Sequence, residues 1–376
     1  MDDKFEILEI APDIYISLKR SFRMQLFRRA ADKEGSYIKL AKKINMTSAS
    51  VISWKDGTQS FPLFIVKNLA DKSSIDDEEI KNNIDGIGIK TRGIRIKNPK
   101  LTIHFDKYLA RLLGHIYGDG CVRCNMVVSY TNQNTELTNK FKYLTKKIFG
   151  NVSIYERYCP RDKTTNLQLP KLVGTILNKI IIGFNEKKIP IKFFDSNPEL
   201  IPEFLAAIFD DEGSVKIKSR ELTITLADKE MIENIIHLFS LIEIPISGTS
   251  EERRNGNSYW RIRIGRKKNF IKFKKLIKLT HSTKLKFLHQ LLDNYKFKFT
   301  KYELQESIMK ELEKSDSQYA SELARKLDVR LSTICKTLVK LEKRSVIKKF
   351  GKKQLIDVQG RNYSVNLWCL NEHNSY

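Results

Sequence analysis

The chain has 376 residues, with 68 lysines and arginines against 44 aspartates and glutamates, a formal net charge of +24. That length suits two or three domains, and so large a positive surplus creates a long-range field that attracts polyanions, nucleic acid foremost. No apolar run approaches the ~20 residues of a membrane-spanning helix, and "MDDKFEILEI" lacks the charge and cleavage pattern of a secretory signal. The expected setting is therefore cytoplasmic and nucleoid-associated, with no membrane partner. The five cysteines are scattered, and only Cys121 and Cys124 form a C-x-x-C pair, so reduced thiols are expected rather than a four-ligand zinc site.

Residues 1–78 are expected to form a helix-turn-helix DNA-binding domain. In "SYIKLAKKINMTSASVISWKDG", Ser36 can cap a helix bearing Ile38, Leu40, Ala41 and Ile44; residues 45–48 turn; residues 49–54 continue with Val51 and Ile52 inward; Gly57 ends the second helix. Ser48, Ser50, Ser53, Trp54 and Lys55 would then be offered to a groove. A plain helical hairpin with no DNA contact is the alternative. Residues 79–103, which include "KNNIDGIGIKTRGIRIKNPK", read as a basic linker because Gly, Lys and Arg interrupt any long apolar period.

From 104 to 295 strand-like and helix-like stretches alternate, and the region repeats itself. "LLGHIYGDG" at 112–120 is echoed by "LAAIFDDEG" at 205–213, each an apolar helical run closing on acid and glycine. Each is followed by a strand, a helix, two strand candidates and another helix, so the region divides into repeats at about 104–195 and 196–295. Asp119 and Glu212 stand 93 positions apart in matched places.

Glycine within a helix costs ~1 kcal/mol relative to alanine, and duplication supplies the reason for it. If the two helices meet along a pseudo-two-fold axis, small residues at Gly114, Gly118, Ala206 and Ala207 let their backbones approach. The same contact brings Asp119 beside Glu212 at two negative helix ends, an arrangement that repels unless a cation intervenes. Oxygen donors without His or Cys pairs suit a hard ion such as Mg²⁺, or Mn²⁺ in its place, and phosphodiester hydrolysis is chemistry such ions assist. Two acids that merely end their helices in solvent are the alternative.

The strands in this region offer a basic face. In "SVKIKSR", Lys216, Lys218 and Arg220 alternate with apolar neighbours, as Arg261 and Arg263 do in "YWRIRIGR". The first repeat offers a less basic set: Tyr130, Asn132, Tyr155, Arg157, Asn166 and Gln168. Such a sheet can track phosphates and read base edges. Residues 300–376 then supply three helical stretches and a hairpin, the order of a winged-helix domain. Arg330, Ser332, Thr333, Lys336 and Lys340 fall on its candidate reading helix. A protein-interaction or dimerisation module would use the same pattern.

The two motif copies and their flanks resemble the LAGLIDADG family of homing endonucleases in its single-chain, two-motif form, over residues 104–295. The resemblance implies an α+β fold, αββαββα twice, whose saddle of antiparallel sheet lies in the DNA major groove. The catalytic acid of the family falls on Asp119 in one copy and on Glu212 in the other, each holding Mg²⁺ near one scissile phosphate so that both strands of double-stranded DNA are cut. Three departures stand out: Tyr117 occupies a place where an acid is common, Asp211 one usually given to a small residue, and no single basic residue can be chosen to assist the attacking water. The resemblance leaves three functions open. The chain could be a monomeric site-specific endonuclease, or a transcription regulator on the same scaffold, as in the bacterial sporulation regulator related to the family. It could also be a maturase holding structured intron RNA. The terminal "EHNSY" is like an intein junction, and coincidence is the expected explanation.

Overall fold

The computed structural model describes residues 4–90, 93–254, 256–293, 301–315, 317–356 and 362–371. Two helices organise its larger unit, residues 1–292. Asp106 opens the first, Lys107–Tyr117, by accepting bonds from the Tyr108 and Leu109 N–H groups, which satisfies donors that a helix start leaves orphaned. Pro202 lies in the first turn of the second, Ile201–Glu212, where a missing N–H is tolerated.

These motif helices pack directly on each other. A Cβ added at Gly114 would lie 2.5 Å from the Phe204 carbonyl oxygen and 2.6 Å from the Ala207 Cβ, so only glycine permits this approach. Ala206 and Ala207 are wholly buried. Gly114→Val is expected to destabilise the protein by roughly 2–3 kcal/mol, read as a lower urea midpoint, because the obstacle includes backbone that cannot rotate away. An unchanged midpoint would mean that the helices can part at no cost.

The strands that follow each motif helix form a four-stranded antiparallel sheet, and the two sheets share one topology. Across the first run Tyr155–Cys159, Thr164–Gln168, Val128–Asn132 and Gly120–Val122; across the second, Gly248–Arg254, Asn257–Ile264, Glu221–Leu226 and Gly213–Lys216. Helices Thr135–Phe149 and Lys171–Ile180 complete one repeat, Lys229–Leu241 and Lys267–Leu276 the other. Apolar alternation explains the layering, since Tyr130, Leu167, Ile224, Ile262 and Ile264 are buried while Thr131, Asn166, Thr225, Arg261 and Arg263 beside them are more exposed.

Of residues 79–103, expected to be a linker, the described ones (79–90 and 93–103) carry regular structure. They hold the end of helix Asp77–Asn83 and strands Ile84–Gly88, Ile94–Lys97 and Thr102–His104. Ile96 and Lys97 pair with Val152 and Asn151 of the first repeat, and Thr102–His104 pairs with Lys4–Glu6. The N-terminal helices therefore belong to the same compact unit as the repeats. Among them, Tyr37–Lys43 and Ser48–Asp56 are joined by a short turn, each opened by a side-chain cap, Ser36 and Thr47. The phase of the second differs from expectation: Trp54 is buried against Phe61, with ring centroids 6.2 Å apart, and Ile52 is exposed.

The second unit, residues 293–376, begins slightly earlier than the expected 300. Its described elements are helices Lys301–Glu313, Ala320–Leu327 and Leu331–Glu342 and strands Gln318–Tyr319, Ile347–Ile356 and Asn362–Leu370. Ile308, Leu323, Ile334, Leu338 and Trp368 fill its core. The terminal "EHNSY" lies outside the described residues.

Candidate functional site

Asp119 emerges where the first motif helix stops, one residue beyond Gly118. Asn132, on the neighbouring strand, donates to its Oδ2 at 2.6 Å. Asp211, in a place usually given to a small residue, fits because it faces Gly118, where a Cβ would stand 2.7 Å from Asp211 Oδ2. Its buried carboxylate accepts from the Tyr130 hydroxyl at 2.8 Å and lies 3.1 Å from His115 Nδ1. Glu212 ends the second motif helix beside it.

Three carboxyls thus share a half-buried centre, and their protonation reflects it. Burial, then the Asp211 and Glu212 charges, push the Asp119 carboxyl up to about 7 against the opposing pull of Lys284 and the Asn132 hydrogen bond. Burial and Asp211 also raise Glu212, while Lys187 and Lys284 hold it down. A carboxyl with a raised value binds its proton more tightly in the folded chain than in the unfolded one, where it titrates near 4. The ion-free protein is therefore expected to lose stability as pH rises from about 4 through 7, by on the order of 2–4 kcal/mol from Asp119. Urea midpoints in chelator at pH 5 and pH 8 check this: the drop should be clearly smaller in Asp119→Asn, and an equal drop would contradict it.

Two lysines that the sequence did not single out complete the centre. Lys187 Nζ donates to the carbonyl oxygens of Gly118 at 3.4 Å and Gly120 at 3.0 Å. Lys284 Nζ donates to those of Phe209, Asp210 and Asp211, at 2.6–3.1 Å. Each ammonium caps the negative end of one motif helix and is drawn below its usual value by burial.

The sixth position of each motif tethers the segment that carries its lysine. In the first copy the Tyr117 hydroxyl donates to the Lys188 carbonyl at 3.0 Å. In the second, buried Asp210 accepts from the Thr280 and His281 N–H groups at 2.9 and 3.0 Å and from Arg111 Nη2 at 2.7 Å. Tyr117 in place of an acid therefore performs the same anchoring by another bond. A pocket of about 340 Å³ lies here, bordered by Asp119, Asn132, Gln133, Asp211, His281 and Lys284. His281 Nδ1 is buried without a hydrogen-bond partner among the described residues.

Asp119 and Glu212 offer the oxygen donors a hard divalent ion prefers, in a spot where repulsion already favours added positive charge. Among the described residues no cluster of three or more His, Cys, Asp or Glu is placed to hold an ion unaided, so an ion here would need oxygens from water or a phosphate.

Residues 199–278 match the family model described as a LAGLIDADG-like domain. The chain carries a LAGLIDADG-like domain. The matched span holds Asp210, Asp211 and Glu212 and all four strands of the second sheet. Among curated proteins, the chain is 25% identical over 250 residues to glutamine–fructose-6-phosphate aminotransferase of Methanocaldococcus jannaschii, covering 62% of this chain and 22% of that protein. It is 25% identical over 233 residues to the replication factor C small subunit of the same organism, covering 57% and 12%, and 29% identical over 118 residues to the replicative DNA helicase DnaB of a Nostoc species, covering 28% and 13%. The chain thus spans about a fifth or less of these relatives. Similar solved structures include full-length DUF199/WhiA from Thermatoga maritima, at a TM-score of 0.38 and 14% identity over 63% of this chain and 90% of that one. A mesophilic variant of the homing endonuclease I-DmoI gives 0.33 and 16% over 50% and 97%.

The remaining candidate residues are scattered over several surfaces. In the LAGLIDADG-like domain, Lys216 ends its strand, and Arg261 and Arg263 stand opposite buried Ile262 and Ile264. Lys218 and Arg220 do not continue the alternation, because the strand stops at Lys216 and residues 217–220 turn. Ser50 is partly occupied in capping, with Thr47 Oγ1 2.8 Å away, and Lys55 pairs with Asp56 at 3.3 Å. In the second unit, Lys336 is exposed on helix Leu331–Glu342 together with Ser332, Thr333 and Lys340, and Arg330 is exposed just before the helix. No helix among the described residues is long and apolar enough to cross a membrane.

Proposed function

We propose that this chain is a site-specific endonuclease for double-stranded DNA, using Asp119 and Glu212 as its catalytic acids. One observation carries the reading: two carboxyls stand at the matched ends of two packed helices, with Lys187 and Lys284 spanning the same ends. Asp119 and Glu212 would hold Mg²⁺ or Mn²⁺, which when bound supplies positive charge at the phosphate and lowers the pKa of water. Asn132 fixes the Asp119 carboxylate in place, and the two ammonium groups offset negative charge that builds on the phosphate. The outward faces of the two sheets would follow the groove, and the helix-turn-helix and winged-helix modules would lengthen the contact.

The test is selection of bound duplexes from a random pool in Ca²⁺, followed by transfer to Mg²⁺ and mapping of broken ends. Staggered double-strand cuts are expected. A second reading, a regulator that binds without cutting, is favoured by the exposed Ser332, Thr333 and Lys336 on helix Leu331–Glu342 and by exposed Arg330 at its start. Sequence-specific retention with intact ends would decide for it.

A further inference from the structure

The two sheets are superimposable in register but not in chemistry. Tyr130 pairs with Gly120 as Ile224 pairs with Gly213, so Thr131 corresponds to Thr225. Across from these threonines stand Asn166 in the first sheet and Arg261 in the second. Two residues further along each strand, on the same face, come Gln168 and Arg263. The matched threonines even make matched bonds: Asn166 Nδ2 donates to Thr131 Oγ1 at 2.6 Å, and Arg261 Nε donates to Thr225 Oγ1 at 3.2 Å.

The side chains are held ready for different bases. Gln168 Nε2 donates to Asn166 Oδ1 at 3.1 Å, which leaves each amide a second N–H and a carbonyl lone pair. One donor beside one acceptor is what the major-groove edge of adenine matches, whereas a guanidinium fork matches guanine O6 and N7. Arg263 lies across Gly248, where a Cβ would stand 3.1 Å from its Nη2. Arg261 is steadied by Glu252. Glu221, opposite Lys216, adds a carboxylate of the kind that accepts from cytosine N4. Arg157 faces Asn166 from the outermost strand of the first sheet, so it bears on the flank of that ladder.

We infer that Asn166 with Gln168 and Arg261 with Arg263 are equivalent specificity pairs, and that the DNA target carries A·T pairs under the first sheet and G·C pairs at the mirrored positions under the second. This rests on the DNA-reading role proposed above, without requiring cleavage.

The full chain and two variants are put through selection from a random duplex pool in Ca²⁺. The wild type is expected to enrich a bipartite site, A·T in one half and G·C in the mirrored places of the other. Asn166→Arg with Gln168→Arg should move only the A·T half toward G, and Arg261→Asn with Arg263→Gln only the G·C half toward A. Each swap should weaken binding to the wild-type site about ten-fold. Matched thermal unfolding shows the variants folded; Asn166→Ala with Gln168→Ala, which need only relax the A·T half, serves if a swap is unstable. An enriched site with equal composition in both halves, or halves unmoved by the swaps, overturns this assignment while leaving DNA recognition intact. No enriched site from the wild type overturns both.

Discussion

Asp119→Asn is expected to lower double-strand cleavage by roughly 10²–10³-fold or more while target binding in Ca²⁺ stays equal or tightens. The substitution removes a donor for the ion and one negative charge from a surface that must meet phosphates, and the amide can still lie against Asn132. Glu212→Gln should behave alike, since it ends the second motif helix as Asp119 follows the first. Mobility shifts in Ca²⁺ set against end-mapping in Mg²⁺ separate the two effects. If either variant cuts at the wild-type rate, the carboxyls are structural and the assignment fails. Loss of binding together with cutting would instead point to a collapsed helix interface.

That pair of acids was legible because a duplication writes its signal twice. "LLGHIYGDG" and "LAAIFDDEG" mark the same junction of helix and strand, and Gly114 against Ala207 shows why small residues recur there. The lysines were not legible, for two reasons. Lys187 and Lys284 are 2 of 68 basic residues, and their role depends on folding back over helix ends from far along the chain. Asp210 and Tyr117 share a function through unlike bonds, which no residue-type pattern reveals. In the N-terminal region the second helix spans only Ser48–Asp56, too few turns to fix its phase, so Trp54 and Ile52 exchanged faces. Strand Ile94–Lys97 was hidden by flanking glycines and lysines, and one of its partners, Asn151–Val152, lies in the first repeat. Local propensity cannot announce a pairing decided at such distance.

Arg111→Met is expected to destabilise the protein by about 3 kcal/mol or more, among the largest effects available away from the acids. Arg111 is 3% exposed and bonds Asp210, Glu203, the Lys278 carbonyl and Thr280 Oγ1. Methionine fills much of its volume but leaves the buried Asp210 carboxyl hydrogen-bonded only to backbone N–H groups. Asp210→Asn should cost less stability, because an amide still accepts from the Thr280 or His281 N–H and Arg111 keeps Glu203. Its cost should fall on cleavage instead: the segment that presents Lys284 to the ends of the helix loses its charged anchor. Urea unfolding and cleavage rates measured on both variants at a temperature where each is folded would separate the roles. Arg111→Met with a near-native midpoint would mean that the ion pair merely offsets its own desolvation. Asp210→Asn with full cleavage would mean that Lys284 holds its place through the helix carbonyls alone.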